Sequence, residues 1–287
     1  MLLDIYHALE KTSKRLEKTE IIASLLKKVP DAELHEVISL LQGRAFPQGD
    51  ERKIGFSSKL MVKAIAKVTG ISSSEVENLW SKKGDLGTVA EEVITKKKQT
   101  TLAQQKLTTT RVIQNIRKLA ELEGEGTVER KVALVAELLS AASSEEARFI
   151  VRTVLEDLRV GVASGVLRDA IAQAYNKEVK EVEAAFHMKS DYGEVAHLAK
   201  KNKLDSVDMT TGKPINSMLA LLVSDVKEAF EALGKPALFE YKLDGFRLQI
   251  HKDSKGIKLF TRRLENVTKQ FPDVVETVKK YVKGETF

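Results

Sequence analysis

An internal repeat is the feature that most constrains the fold of this chain. Residues 53–90 align with residues 159–196 without a gap, at a constant offset of 106, and thirteen of the 38 positions are identical. Two long units do not make a solenoid, because solenoids stack several short copies into an array. The repeat therefore predicts a helical domain built from two similar halves around a pseudo-two-fold axis.

Helical periodicity extends over the first two thirds of the chain. Apolar residues recur at the spacing of one helix face as far as about Leu204, and Ser143 before Glu145-Glu146 is a helix-start signal. The composition changes at residues 210–214, Thr-Thr-Gly-Lys-Pro, which is typical of a connection. We therefore expect a helical domain over residues 1–211 and a second domain over residues 212–287.

Strand signals mark the second domain. Apolar and polar side chains alternate from Phe246 to His251, and a turn at residues 252–256 predicts a hairpin. A further strand is expected to lead into Lys242, with the next strand starting at Phe246. Helices are expected at about residues 223–233 and 272–282. Two or three strands with a pair of helices cannot close a core of their own, so we expect an incomplete domain.

Composition narrows the classes of function. A formal net charge of +6 favours an anionic partner, although evenly mixed lysine and glutamate also suit a solvated surface. The chain has no cysteine, which excludes disulfides and thiolate metal sites, and its histidines show no ligand spacing. No apolar run approaches ~18 residues and no leader is recognisable, so a soluble intracellular protein is expected.

Each copy of the repeat places a basic residue, a glycine and a serine at the start of an apolar helix. These residues are Lys53, Gly55 and Ser58 in the first copy and Arg159, Gly161 and Ser164 in the second. Glycine permits close backbone approach, serine caps a helix, and free N–H groups at a helix start favour an anion. Two such loops related by a pseudo-dyad would hold both strands of duplex DNA by their phosphates. The alternative is that both glycines only serve turns between packed helices.

A basic, threonine-rich stretch from Lys96 to Arg111 is compatible with a loop that touches DNA. A solvated run of charge is an equally good interpretation of it.

Lys242 is the candidate nucleophile. It lies in the pattern Lys-x-Asp-Gly-x-Arg with Asp244, Gly245 and Arg247. A lysine amine attacks only when it is unprotonated, which requires burial or nearby cations, and Arg247 and Arg262 are candidate neighbours. The competing interpretation is a surface lysine beside a hairpin turn, because Asp-Gly is a common turn dipeptide.

This pattern resembles the nucleotidyl-lysine motif of ATP-dependent DNA ligases and of their relatives, the RNA ligases and mRNA capping enzymes. Residues 212–220 are similar to the segment that opens the adenylation domain, and residues 259–268 with Phe271-Pro272-Asp273 resemble the next motif. Segments of the helical part resemble the N-terminal DNA-binding domain of archaeal and eukaryotic ligases. These segments are residues 43–47, 84–87, 146–152 and 158–162.

The resemblance implies the N-terminal portion of an archaeal-type DNA ligase that seals nicks through a covalent lysine–AMP, in DNA replication, repair and recombination. By that resemblance Lys242 is the adenylated nucleophile and Asp244 shapes its turn. Glu240 would recognise the adenine, Arg247 the ribose, and Arg262 the phosphate or sugar. The expected fold is a mainly α domain of two pseudo-symmetric halves, followed by an incomplete α+β nucleotidyltransferase domain of the ATP-grasp-like kind.

The resemblance also implies ATP and Mg²⁺ as cofactors, with no metal ligand assigned. Nicked duplex DNA is the expected partner, a sliding clamp is a candidate partner, and a cytoplasmic, nucleoid-associated monomer is expected. The chain by itself should bind DNA without ligating it. Two alternatives stay open, a non-catalytic duplex-binding module and an RNA ligase or capping-type enzyme. The long helical domain argues against the second of these.

Overall fold

Helices form nearly all the regular structure in the first of two units into which the chain divides. The computed structural model describes residues 2–48, 50–95, 107–217, 220 and 222–287. The units are Met1–Val207 and Asp208–Phe287. Most of the basic stretch, residues 96–106, lies outside the described residues, as do Met218 and Leu219 of the segment upstream of Lys242.

The described part of the first unit is helical from end to end. The helices are α1 (Leu2–Glu10), α2 (Arg15–Leu26), α3 (Asp31–Leu41), α4 (Ser58–Thr69), α5 (Ser73–Lys83), α6 (Leu86–Ile94), α7 (Thr109–Lys118), α8 (Thr127–Ala141), α9 (Ser144–Val154), α10 (Ser164–Tyr175), α11 (Val179–Lys189) and α12 (Tyr192–Lys200). A 3₁₀ turn at Leu204–Ser206 follows. None of the helices in the described residues is long and apolar enough to span a membrane.

The repeat is visible in the helix boundaries. Helices α4, α5 and α6 recur as α10, α11 and α12, and every start and end is displaced by 106 residues. Helices α4 and α10 end at equivalent positions because Gly70 and Asn176, with φ of 76° and 51°, both adopt the left-handed conformation. Helices α6 and α12 start at equivalent positions because Asp85 and Asp191 each accept hydrogen bonds from two backbone N–H groups.

Two hydrophobic cores stabilise the first unit, and each packs one repeat copy against a separate pair of helices. The first core packs α4–α6 against α8 and α9, and the second packs α10–α12 against α2 and α3. Fully buried members include Ile65, Val89, Leu139 and Val151 in the first core and Ile22, Leu34, Ile171 and Val195 in the second. The helix pair that precedes each repeat copy therefore packs on the other copy.

The second unit contains helix α13 (Val226–Leu233), a hairpin of β1 (Gln249–Asp253) and β2 (Gly256–Phe260), and helix α14 (Pro272–Tyr281). The strands are antiparallel, with Gln249 opposite Phe260. Buried side chains on β2, the following turn and α14 form its small core; they are Leu259, Phe260, Leu264 and Val278. On the other edge of β1, Phe287 exchanges two backbone hydrogen bonds with Lys252, of 2.8 and 3.0 Å.

The predicted fold class, a mainly α part followed by a small α+β part, is confirmed. The strand expected before Lys242 is not formed, since residues 237–248 carry no strand, and β1 begins at Gln249 instead of Phe246. The physical reason is pairing: a strand needs a neighbour for its backbone N–H and C=O groups, and the described neighbour of β1 ends at Phe260.

Candidate functional sites

Lys242 lies on an exposed loop, paired with the aspartate of its motif. Its Nζ is 3.2 Å from Oδ1 of Asp244, and the two side chains are 91% and 98% exposed. The loop bends at Gly245, whose φ of 146° is rarely adopted by residues with a side chain. The backbone conformation therefore favours glycine at this position of the motif, and the loop presents both charged groups to solvent.

The polar side chains that alternate along β1 hold the upstream segment in place. The Gln249 amide donates to the Ile215 carbonyl at 2.7 Å, and its oxygen accepts from the Ile215 N–H at 3.0 Å. His251 Nδ1 accepts from the Gly212 N–H at 3.0 Å, and the Arg247 guanidinium donates to the Ser217 hydroxyl. Two of the segments that resemble ligase motifs are therefore brought together.

The third segment that resembles a ligase motif forms a tight turn after β2. The Thr261 hydroxyl accepts from the N–H groups of Arg263 and Glu265, at 3.2 and 3.3 Å. Leu264, with a φ of 66°, is buried at the base of the turn. The threonine hydroxyl therefore holds the turn closed, and Arg262 is left exposed at its tip.

The predicted nucleotide-binding side chains are all accessible. Glu240, Arg247 and Arg262 are exposed, as Lys242 and Asp244 are. The structure brings Lys242 to Asp244 and holds Arg247 against Ser217.

The loops before α4 and α10 share one backbone path. Gly55 and Gly161 are exposed and left-handed, with φ of 58° and 67°, while the residues before them, Ile54 and Val160, are buried in the two cores. Each loop is therefore anchored by an apolar side chain next to an exposed glycine.

The basic residues that open these loops are placed differently. Lys53 is exposed. Arg159 binds Asp157 at 2.7 Å and reaches the Gly84 carbonyl at 3.4 Å.

The predicted capping role of the two serines is wrong. Ser57, one residue earlier, caps α4 by accepting from the Leu60 N–H, and Ala163 precedes α10 without a side-chain cap. Ser58 and Ser164 occupy the first helical position because each helix starts one residue sooner than expected. The Ser164 hydroxyl instead bonds the Tyr192 hydroxyl at 2.8 Å.

One cleft combines residues from both repeat copies. Ser58 and Arg159 line a cavity of about 180 Å³ together with Trp80 and Asp85. The first and second copies are therefore adjacent at this point.

Sequence reasoning missed two buried lysines that contact these loops. Lys18 in α2 donates to the Val160 carbonyl at 2.6 Å, and Lys131 in α8 donates to the Ile54 carbonyl at 2.7 Å. A signal existed: Lys131 follows Lys18 by 113 residues, and α3 recurs as α9 at that same offset. This offset of 113 is seven residues longer than the offset of 106 that relates the two repeat copies. An alignment without gaps therefore does not extend to the two lysines.

Comparisons with known proteins match both units. A model described as DNA ligase N terminus matches residues 1–172, and one described as ATP dependent DNA ligase domain matches residues 217–286. Among curated relatives, a DNA ligase of Thermococcus onnurineus is 44% identical over 99% of this chain. Those of Nanoarchaeum equitans and Methanobrevibacter smithii are 42% and 40% identical over 99% and 100% of it. The chain covers 50–52% of these relatives, about half their length.

Proposed function

This chain belongs to the ATP-dependent DNA ligase family, and from that premise we propose that it supplies the duplex-binding unit and the nucleotide-accepting lysine of an enzyme that seals nicks in duplex DNA. The observation that carries the proposal is the exposed pair of Lys242 and Asp244, 3.2 Å apart, on a glycine bend within the segment that matches the ligase domain.

The proposed chemistry is nucleotidyl transfer to Lys242. The exposed ammonium of Lys242 first gives a proton to solvent water, and the neutral Nζ then attacks the α-phosphorus of ATP. A P–N bond forms, the bond from that phosphorus to the β-phosphate oxygen breaks, and pyrophosphate leaves with the electron pair. Asp244 holds the amine by a hydrogen bond, which restricts the direction of attack.

The remaining motif residues would bind the nucleotide. We assign Glu240 to the adenine, Arg247 to the ribose and Arg262 to the phosphate or sugar, and all three are exposed. Mg²⁺ is usually bound through nucleotide phosphates and one or two carboxylates, and Asp244 is the carboxylate beside Lys242. The ion would then enter with the triphosphate and offset its negative charge.

The test is the mass of the protein after incubation with ATP and Mg²⁺. In a ligase of the relatives' full length that carries these residues, we expect one AMP on Lys242. Lys242→Ala and Lys242→Arg should abolish it, and Lys255→Ala, at an exposed lysine of the hairpin turn, should not. The assignment is wrong if the Lys242→Ala protein is adenylated as fast as the wild type.

The 287-residue chain alone should neither seal nicks nor label appreciably with ATP. Around Lys242 the motif side chains face solvent, and an open site gives up the positioning that supplies most of the rate in such transfers. Efficient sealing by the isolated chain would contradict this.

Duplex binding is assigned to the loops before α4 and α10. Phosphate contacts fix position without reading bases, so little sequence preference is expected. Lys53→Glu and Arg159→Glu should each weaken binding to nicked duplex and reduce the salt slope by ~0.9, the value for one phosphate contact. Lys67→Glu, at the other end of α4, is the charge-matched control. Unchanged affinity in a folded Lys53→Glu/Arg159→Glu variant would place the DNA elsewhere.

A further inference from the structure

Lys18 and Lys131 occupy equivalent positions in the two halves of the helical unit. They are only 8% and 9% exposed, and each reaches a loop that is far away in sequence. Lys18 donates to the Val160 carbonyl at 2.6 Å, and Lys131 donates to the carbonyls of Ile54 and Gly55 at 2.7 and 3.4 Å. Each ammonium therefore lies against one of the two loops assigned to duplex binding.

Neither ammonium has a carboxylate within ion-pair distance in the part of the chain that the structure describes. Their contacts are backbone carbonyls, which carry only a partial negative charge. A buried charge without a counter-ion is costly, and each ammonium has three N–H donors. The carbonyls account for one donor of Lys18 and two of Lys131, so each lysine has capacity left for an anion.

The glycines of the loops bring these charges close to the surface. A Cβ on Gly55 would lie 3.1 Å from Nζ of Lys131, and a Cβ on Gly161 would lie closer still to Nζ of Lys18. Both glycines are exposed. Glycine is therefore favoured at both positions for two reasons. It adopts the positive φ of the turn, and its lack of a side chain leaves room for a lysine ammonium directly beside an exposed backbone.

We propose that Lys18 and Lys131 are a pair of phosphate-binding cations, one in each loop, that neutralise phosphodiesters on the two strands of bound duplex DNA. The inference rests on the proposed duplex binding and deepens it. The exposed Lys53 and Arg159 would then act beside a buried cation in each loop.

The test is a titration of nicked duplex at several salt concentrations with Lys18→Met and Lys131→Met in this 287-residue chain. Methionine keeps the length of the side chain and removes the charge. Each variant should lose affinity about tenfold, as expected for a charged hydrogen bond, and the salt slope should fall by ~0.9.

Lys200→Met is the matched control. Lys200 also donates to a backbone carbonyl, that of Val29 at 3.1 Å, but its charge is already paired with Asp31. Its loss should lower the melting temperature without changing the salt slope. A folded Lys18→Met/Lys131→Met protein with the wild-type salt slope would overturn the proposal, whether or not its affinity falls.

A second measurement covers variants that do not fold. Thermal melts of the wild type in phosphate and in chloride, at equal ionic strength, should show a higher melting temperature in phosphate. The single variants that fold should show a smaller difference, and equal wild-type melting in both salts would overturn the proposal. If the wild type fails to bind duplex at all, the proposed function falls, while a phosphate effect that Lys18→Met reduces would still support the anion site.

Discussion

In both halves of the helical unit an aspartate starts the third helix of the repeat, but its partner across the core differs. Asp85 binds Arg152 on α9 at 2.7 Å, and Arg152 also binds Glu10 at 2.7 Å. Asp191 binds His35 on α3 at 2.9 Å. The side chains of Arg152 and Asp85 are 10% and 11% exposed, whereas His35 is 38% exposed.

The comparison shows that the backbone requires the aspartate of each pair but not a particular cationic partner. Both aspartates accept two N–H groups at a helix start, so the carboxylate is needed wherever this helix begins. The cross-core partner is needed only to compensate the remaining charge, and different cations meet that need. The first half uses an arginine, which is always charged, and the second uses a histidine, whose charge depends on pH.

The largest expected effect comes from removing the two aspartates. Asp85→Ala should cost about 3 kcal/mol, because it removes a cap and leaves the buried Arg152 with a single carboxylate. Asp191→Ala should cost about 1–2 kcal/mol, since the half-exposed His35 can lose its charge or be solvated. Denaturant unfolding of both variants measures the difference.

Asp85→Ser and Asp191→Ser separate the cap from the ion pair. Serine keeps an oxygen that can cap the helix. The stability that the serine variant still lacks therefore measures the ion pair with the partner across the core. Equal costs in the two halves would show that the cap, and not the partner, dominates.

The next largest difference in stability is expected between alanine substitutions at Gly55 and at Gly161. Gly161→Ala should cost about 2 kcal/mol and Gly55→Ala about 1 kcal/mol, because both have positive φ and the added Cβ crowds Lys18 more than Lys131. Gly70→Ala is the control: its φ is 76°, but no atom lies within 4 Å of an added Cβ. A loss at Gly161 no larger than that at Gly70 would contradict the crowding at Lys18.

The smallest expected effect is a response to pH that is confined to the second half. The hydrogen bond to Asp191 raises the pKa of His35, although burial and Arg117 oppose this. Burial alone would raise the pKa of Asp191, but hydrogen bonds from His35 and the backbone lower it overall. The His35 contribution is therefore complete below its unfolded pKa, about 6.5, and is lost as the pH rises through its folded value.

The first half should not respond in this range. Burial would raise the pKa of Asp85, but hydrogen bonds from Arg152 and Thr88 lower it to about 2. That contribution is lost only as the pH falls towards about 2, because Arg152 stays protonated throughout. From about pH 6 to 9 we expect the second half to lose a few tenths of a kcal/mol, reduced by solvent screening at the half-exposed His35. Hydrogen exchange at the equivalent amides of Val89 and Val195 measures it, and an unchanged profile in His35→Gln would refute the assignment.

Much of the helical architecture could be predicted because its signals are local. Apolar periodicity, the left-handed stops at Gly70 and Asn176, and the cap and N3 pair of Ser143 and Glu146 act within a few residues of one another. The alternation along β1 was also predicted, and its polar face proved to be the one that binds residues 212–217. The family of the chain was likewise recognisable from the short motifs around Lys242.

The sequence by itself therefore determined the helical periodicity, the two repeat copies and the motif that carries Lys242. Only the tertiary structure decided that α2 and α3 pack on the second copy, that Lys18 and Lys131 lie under the exposed glycines, and that the stretch before Lys242 forms no strand. Capping and periodicity depend on near neighbours, so a single segment contains them. Burial of a lysine against a carbonyl 142 residues away, or the pairing of a strand, depends on which distant segments meet, and no single segment contains that information.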